Sequence, residues 1–510
     1  MNSPWQFWID VGGTFTDCYA RKPDGSLQRE KVLSSGVTKL AVGEGSNSRR
    51  ICLSGSAFAA DFWNDYEVRL LDELGQTAAE SAVRAYDPVS HSIDLKTDLP
   101  VTPNRSHTVE LFSHEPAPLL AIRRVLELPL DAKIDNAIVR LGTTRGTNAL
   151  LTRRGARTGL VTTRGFGDIL DIGNQARPKL FAVSIQKPPV LYSSVMEIDE
   201  RILSDGSISH PLDEAAARQA LQSLRDAGIE SLAICLLNAY VNAEHEQCLQ
   251  QLAQELGFDE ISCSHEVAPL IKLVSRGDTT VVDAYLNPVL RRYVGRLRGA
   301  LGNCELKLLT SAGGLASAEV FTGKDSILSG PAGGVVGFSR VSEAAGFDRA
   351  IGFDMGGTST DVSRFDGRFD LEYETEKAGV RIVAPMMAIE TVAAGGGSIC
   401  SFDGIKLGVG PDSAGADPGP MCYGRGGPLT VTDINYFLGK IPADHFPFPL
   451  ISRKTIESRI QELAERVNRE AGILYSPVEL ADGFLQIANA NMARAIRSVS
   501  IAKGYDPADY

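Results

Sequence analysis

Two matched octets hold the residues best suited to chemistry: Asp10-Val-Gly-Gly-Thr-Phe-Thr-Asp17 near the start and Asp354-Met-Gly-Gly-Thr-Ser-Thr-Asp361 much later. Each follows an apolar run, Phe7-Trp8-Ile9 in one case and Ala350-Ile351-Gly352-Phe353 in the other. Each leads into a stretch that closes on an Asp-Gly turn, Asp24-Gly25 or Asp366-Gly367, as a returning strand would. The paired glycines permit positive φ and let backbone N–H groups approach an anion, since no Cβ stands in the way. The threonine hydroxyls add donors, and an Asp at a strand end can face a hydrated Mg²⁺. Asp10 and Asp354 are therefore assigned to metal and water alignment. Gly12, Gly13, Thr14 and Thr16, with Gly356, Gly357, Thr358 and Thr360, are the expected phosphate contacts. Asp17 and Asp361 are expected to cap the turns through backbone N–H groups, with a role behind the metal left open.

One Gly-Gly turn after a strand is, in most chains, only a hairpin. Two copies sharing the leading Asp, both glycines, both threonines and the trailing Asp point instead to a duplicated ATPase core. The expected fold is α/β: an actin-like pair of related domains with mixed sheets and flanking helices, closing over ATP and Mg²⁺. A non-catalytic nucleotide sensor of the same architecture remains an alternative at this point.

The elements that must position these turns alternate along the chain. Helical period marks 121–128, 214–227, 244–256 and 279–300, the last with Pro288 inside it, while 137–141 and 231–236 read as strands. Residues 49–108 carry short β-like runs at 67–71 and 92–95 between turn residues, and read as a small β-rich insertion. The Ser204-Asp-Gly206 turn suggests a division into domains of 1–210 and 211–510. Near the end, Ile487, Ala490, Ala493, Ile496 and Val499 recur at near-helical spacing and suggest a buried stripe.

Other candidates stay open between a structural and a functional reading. Gly395-Gly-Gly397 is either a phosphate or substrate contact or a turn demanded by packing. Asp412 and Asp417 lie in a glycine- and proline-rich segment, 408–420, and are either loop contacts or solvated carboxylates. His265 beside Glu266 is a substrate contact or a structural residue. Arg177, after Asn174-Gln175, could hold a substrate carboxylate with its planar fork.

Composition narrows the partners. With 510 residues, 43% hydrophobic and 22% charged, the chain is long enough for two or more cores. A net charge of −12 argues against nucleic acid or an anionic membrane as the main partner. No apolar run approaches the roughly 20 residues of a membrane span. The eight cysteines are scattered without a Cys-x-x-Cys pair, so reduced thiols and a cytoplasmic setting are expected. Met1-Asn-Ser-Pro4 leads straight into the first strand, with no secretory leader.

The two octets resemble the phosphate turns of the hydantoinase A and 5-oxoprolinase family, which are ATP-dependent ring-opening enzymes. The resemblance continues through Leu141-Gly-Thr-Thr-Arg-Gly-Thr-Asn-Ala-Leu150, Val161-Thr-Thr-Arg-Gly-Phe-Gly-Asp-Ile169, Ile172-Gly-Asn-Gln-Ala-Arg-Pro178 and Ser264-His-Glu-Val267. It goes on through Asp283-Ala-Tyr-Leu286, Ser329-Gly-Pro-Ala-Gly-Gly334, Ala393-Ala-Gly-Gly-Gly-Ser398, the 409–420 segment and Thr430-Val-Thr-Asp433. Ala176-Arg-Pro-Lys-Leu-Phe181, Tyr192 and Glu197-Ile-Asp-Glu-Arg201 lean toward the oxoprolinase branch. The resemblance implies phosphorylation of the amide oxygen of a cyclic amide such as 5-oxoproline or a hydantoin. It also implies a hydantoinase B-like subunit or fused domain that completes hydrolysis, and an oligomer. The activating subunit of an acetone- or acetophenone-type carboxylase shares the motifs. Family members continue beyond the helix at 491–497 into a further glycine-rich turn, so the expectation is a domain shortened at its C-terminus.

Overall fold

Alternation along Trp5–Val11 turns Phe7, Ile9 and Val11 into a core and leaves Asp10 on the opposite face. The computed structural model describes residues 3–54, 58–72, 75–174, 181, 183–184, 187–415, 417–442, 446 and 450–510, and sets this strand inside a six-stranded sheet. Phe15–Arg21 and Leu27–Leu33 continue the sheet antiparallel on one side. Ala137–Thr143 and then Glu305–Leu309 run parallel on the other, and antiparallel Leu315–Ser317 forms the edge. Helix Ala117–Leu126 lies against the first three strands.

The expected insertion is a closed barrel of six strands spanning Thr38 to Phe112. The strands Glu67–Leu71 and Ser92–Leu95 stand where the sequence placed them. Closure leaves the lobe without a free sheet edge. Ile51, Phe62, Trp63, Tyr66 and Leu70 fill it, in one core with Phe7 and Ile9.

A second sheet is wholly parallel, in the order Tyr192–Ile198, Thr158–Thr163, Ser231–Cys235, Glu260–Cys263. Such a sheet needs cover on both faces, and neighbouring side chains divide accordingly. Val161, Leu232 and Ile234 pack with helices Glu214–Asp226 and Glu244–Glu255. Leu160, Ala233 and Cys235 pack with Val281 and Ala284 of the long helix Leu273–Ala300. The division proposed near residue 210 falls inside this sheet, with two of its strands before that point and two after. Glu305–Leu309 then returns to the first sheet, so the cores interleave along the chain.

The second octet lies in a three-stranded antiparallel sheet of Arg349–Met355, Thr360–Asp366 and Ile389–Val392, with Arg349–Met355 at its edge. Helix Ser329–Ala344 packs on that edge strand. Helix Pro477–Val499 starts from a capping box of Ser476 and Glu479 and lies against the other two strands. Its buried stripe is Leu480, Ala481, Phe484, Leu485, Ala488, Ala495 and Val499. Of the expected stripe only Val499 is buried, while Ala490 and Ala493 are exposed. The helix is rotated because it must also face a helix and a hairpin that local spacing does not reveal, Arg453–Ala471 and Ser398–Ser413. Among the described residues no helix is long and apolar enough to cross a membrane.

Candidate active site

The two octets fold into hairpins that match residue for residue. Asp10 stands opposite Asp17, and the Gly12 N–H donates to the Phe15 carbonyl at 3.0 Å. Asp354 stands opposite Asp361, and the Gly356 N–H donates to the Ser359 carbonyl at 2.9 Å. None of Gly12, Gly13, Gly356 and Gly357 has a positive φ, so conformational freedom is not why glycine is there. Space is. A Cβ on Gly12 would stand 3.0 Å from the Phe15 carbonyl oxygen, and one on Gly356 3.3 Å from that of Ser359. A Cβ on Gly13 would meet nothing within 4 Å, and one on Gly357 would meet only the Thr14 hydroxyl at 3.7 Å. Gly13 and Gly357 thus border open space between two turn tips that face each other.

Asp10 lies beside two other family segments. A Cβ on Gly142 would stand 3.2 Å from Asp10 Oδ1, and one on Gly330 3.4 Å from the same oxygen. Thr144 donates both its N–H and its hydroxyl to the Val11 carbonyl, at 3.3 and 3.1 Å. The Thr143 N–H reaches Ser329 Oγ at 3.1 Å. The end of Ala137–Thr143 and the start of helix Ser329–Ala344 therefore wall Asp10 in, leaving it accessible from the cleft. Burial pushes the Asp10 carboxyl up to about 6; repulsion from Asp354 and Asp17 adds to the shift and Lys31 offsets part of it. Gly142, Thr144, Ser329 and Gly330 were not singled out as site residues, although each lies in a segment that resembled the family.

The profile of the hydantoinase/oxoprolinase family matches residues 276–510, and that of the hydantoinase/oxoprolinase N-terminal region matches 96–257. The chain belongs to this family. The 5-oxoprolinase of Saccharomyces cerevisiae is 39% identical over 455 residues, which are 78% of this chain and 35% of that protein. The chain thus spans about a third of the length of such relatives. The solved ATP-dependent caprolactamase of Pseudomonas jessenii is 29% identical, with a TM-score of 0.64 over 99% of this chain and 64% of that one. A nucleotide-free acetone carboxylase has a TM-score of 0.70 at 21% identity, covering 100% of this chain and 65% of its own. That last likeness is one of fold.

Within this family member the remaining candidates separate clearly. Thr14 and Thr358 are open toward the cleft, whereas Thr16 and Thr360 are fully buried. The Thr16 hydroxyl pairs with Ser34 Oγ, which itself donates to the Gly12 carbonyl. The Thr360 hydroxyl donates to the Ala394 carbonyl at 2.6 Å. Both brace their turns from behind, so the expectation of phosphate contact at these two positions is corrected. The trailing aspartates also depart from expectation. Asp17 takes Lys31 at 2.6 Å and Arg29 at 3.5 Å from the next strand, and Asp361 accepts from the Thr391 hydroxyl at 2.7 Å. Neither makes a turn-capping bond to a backbone N–H among the described residues.

The glycine triplet is a brace as well. Gly396 and Gly397 donate their N–H groups to the Gly356 and Gly357 carbonyls, at 3.0 and 2.6 Å. Thr432 fixes Gly396 in turn, giving both its N–H and its hydroxyl to that carbonyl at 2.7 and 2.8 Å. A Cβ on Gly395 would stand 2.7 Å from the Gly356 oxygen. The Gly396 and Gly397 donors are spent on the second turn and the Gly395 N–H on Ser398 Oγ at 2.9 Å, which decides for packing.

His265 is held by the buried Glu246, at 2.7 Å from its ring and 2.9 Å from its N–H. That hydrogen bond raises its pKa. It belongs to a polar network with Ser264 and Arg276 at the end of the parallel sheet, and among the described residues no hydrogen bond or ion pair links it to the turns. Asp412 lies on strand Leu407–Ser413, and Asp417 is exposed, 3.8 Å from Arg425. Arg177 lies outside the described residues.

The donor chemistry between the turns suits a hard divalent cation. The Asp354 carboxylate helps raise the proton affinity of Asp10 there, and among the described residues no group of three or more His, Cys, Asp or Glu could hold a metal. An ion that keeps its water and takes phosphate oxygens, as Mg²⁺ does, fits such a sparse set.

Proposed function

We propose that this chain is the ATP-dependent half of a ring-opening enzyme for cyclic amides such as 5-oxoproline or a hydantoin. The matched hairpins form the two phosphate turns of an actin-like core. Gly12, Gly13 and Thr14 on one side, and Gly356, Gly357 and Thr358 on the other, offer N–H and hydroxyl donors to the phosphates of ATP. Asp10 and Asp354 would hold a Mg²⁺ ion, which neutralises phosphate charge when bound.

Amide resonance makes a lactam carbonyl a poor electrophile. Transfer of the γ-phosphoryl group to the amide oxygen ends that resonance and leaves a carbon open to water. The residues contribute placement and charge rather than a covalent step. Asp10 and Asp354 align the attacking oxygen with the phosphorus, and the turns keep the phosphates from moving. A hydantoinase B-like partner or fused domain completes hydrolysis.

The observation that carries this reading is the facing of Asp10 and Asp354 in hairpins of identical register, within a chain whose relatives include 5-oxoprolinases. The test is phosphate release by the protein with a hydantoinase B-like partner, given 5-oxoproline, hydantoins, or acetophenone with bicarbonate. Release that depends on a cyclic amide is the expected result. Release that depends on the ketone would assign a carboxylase, and ATP binding without turnover would assign a sensor.

A further inference from the structure

Helix Leu273–Ala300 carries a carboxylate, Asp278, on the wall of a cavity. Asp278 is half-buried and makes no hydrogen bond or ion pair among the described residues. It lines a cavity of about 290 Å³ together with Leu170, Tyr192, Val281 and Arg381. Arg381 is ion-paired with Glu374, Nε to Oε1 at 3.3 Å, and its guanidinium makes no hydrogen bond among the described residues. Lys187, also on the lining, is already spent on the carbonyls of Asp171 and Ile172, both at 2.8 Å. The cavity thus sets a half-buried acid and a guanidinium on one lining.

We propose that this cavity binds a small amino-acid zwitterion, its ammonium on Asp278 and its carboxylate on Arg381. The volume sits at the lower end of small-molecule pockets, about 300–1,000 Å³, which suits an amino acid rather than a nucleotide. Asp171 and Glu376 also line it, and this acidic excess disfavours a ligand that is only an anion. Burial holds the Asp278 carboxyl up near 7, against the pull of Arg381, and a bound ammonium would supply its missing partner.

The cavity is separate from the phosphate turns. Helix Arg145–Leu151 begins where Thr144 touches Val11, and just past its other end Arg153 donates to the Ala378 carbonyl at 2.8 Å, next to Gly379 on the cavity lining. Seven residues at 1.5 Å each put about 10 Å of helix between the two places. Opening a lactam creates an ammonium and a carboxylate, whereas the closed ring has no ammonium. Only the identification of the zwitterion with the opened product rests on the proposed function; the binding itself does not.

The experiment is calorimetric titration of the protein without ATP, using L-glutamate, glutarate and butylamine as probes. Saturable binding of glutamate, with neither single-charge probe matching it, is expected. Asp278→Asn and Arg381→Gln should each weaken glutamate about tenfold or more, the scale of one lost charged hydrogen bond, with the unliganded melting of Asp278→Asn no lower than wild type. If one variant fails to fold, the other still decides. Glutarate binding as tightly as glutamate, no glutamate binding, or binding indifferent to the surviving variant would overturn the proposal. Because no ATP turnover is read, the result stands apart from the fate of the ring-opening assignment.

Discussion

Thr14 and Gly357 meet across the cleft: a Cβ added to Gly357 would stand 3.7 Å from the Thr14 hydroxyl oxygen. The tips of two distant turns are therefore near neighbours, and a ligand between them is held by both halves of the chain at once. Damage to either turn should cost nucleotide handling without the other compensating.

Asp10→Asn and Asp354→Asn should each lower ATP turnover by about 100-fold or more, the scale seen when one preorganised electrostatic group is removed. Both variants should keep the wild-type circular dichroism spectrum. Phosphate release near the normal rate at saturating Mg²⁺ in either variant would refute the role given to the pair.

The raised Asp10 pKa has a signed consequence for stability. Its folded value, about 6, lies above an ordinary unfolded Asp near 3.9, so between these values the folded state holds more protons. Stability from this group is present below about pH 4 and is lost as pH rises through 6. Unliganded Asp10→Asn should accordingly melt higher than wild type at pH 7 to 8, with the gap closing toward pH 4. A gap of opposite sign in thermal melts across that range would contradict the assigned burial and repulsion.

Gly13 and Gly395 should respond to substitution in opposite ways. Gly13→Val directs its side chain into open cleft, so unliganded stability should stay within about 0.5 kcal/mol while ATP binding is lost. Gly395→Ala sets a Cβ 2.7 Å from the Gly356 oxygen and should destabilise by about 1–3 kcal/mol through overpacking. Denaturant melts alongside ATP titrations would separate the two, and equal stability losses would not fit.

Thr360→Val removes a buried donor and leaves the Ala394 carbonyl unanswered, at a cost of about 1–3 kcal/mol. The loss should appear in the unfolding midpoint first. A Thr360→Ser variant, which retains the hydroxyl, should recover most of it. A valine variant as stable as wild type but unable to bind ATP would return Thr360 to the phosphate site.

The hairpins were legible because their signals are local: an apolar run, a tight turn and an Asp-Gly close. The inward direction of Thr16 was legible too, since it alternates with Cys18 and Ala20, all three buried, and strand parity carries that information. The start of the long helix was not. It begins at Leu273, and its polar first turns contain Arg276, which is buried because Ser264, Leu236 and Leu270 accept from it. Those acceptors lie on other elements, so spacing within the helix could not announce them. The same holds for Glu305–Leu309, whose return beside Ala137–Thr143 is a matter of topology. Gly395 to Gly397 read equally well as donors to a ligand, because the acceptors that occupy them, the second-turn carbonyls for Gly396 and Gly397 and Ser398 Oγ for Gly395, are set by the fold.

Strand Arg349–Met355 pairs on one side only among the described residues, and its own Phe353 and Met355 are 42% and 39% exposed. A bare edge with apolar neighbours is a template for further strands. Produced by itself, this 510-residue chain should be prone to concentration-dependent clumping, with sedimentation rising steeply on concentrating. A lysine at Phe353 should blunt that tendency by making an approaching edge desolvate a charge. The practical measure of whether this edge is normally covered is therefore colloidal rather than enzymatic.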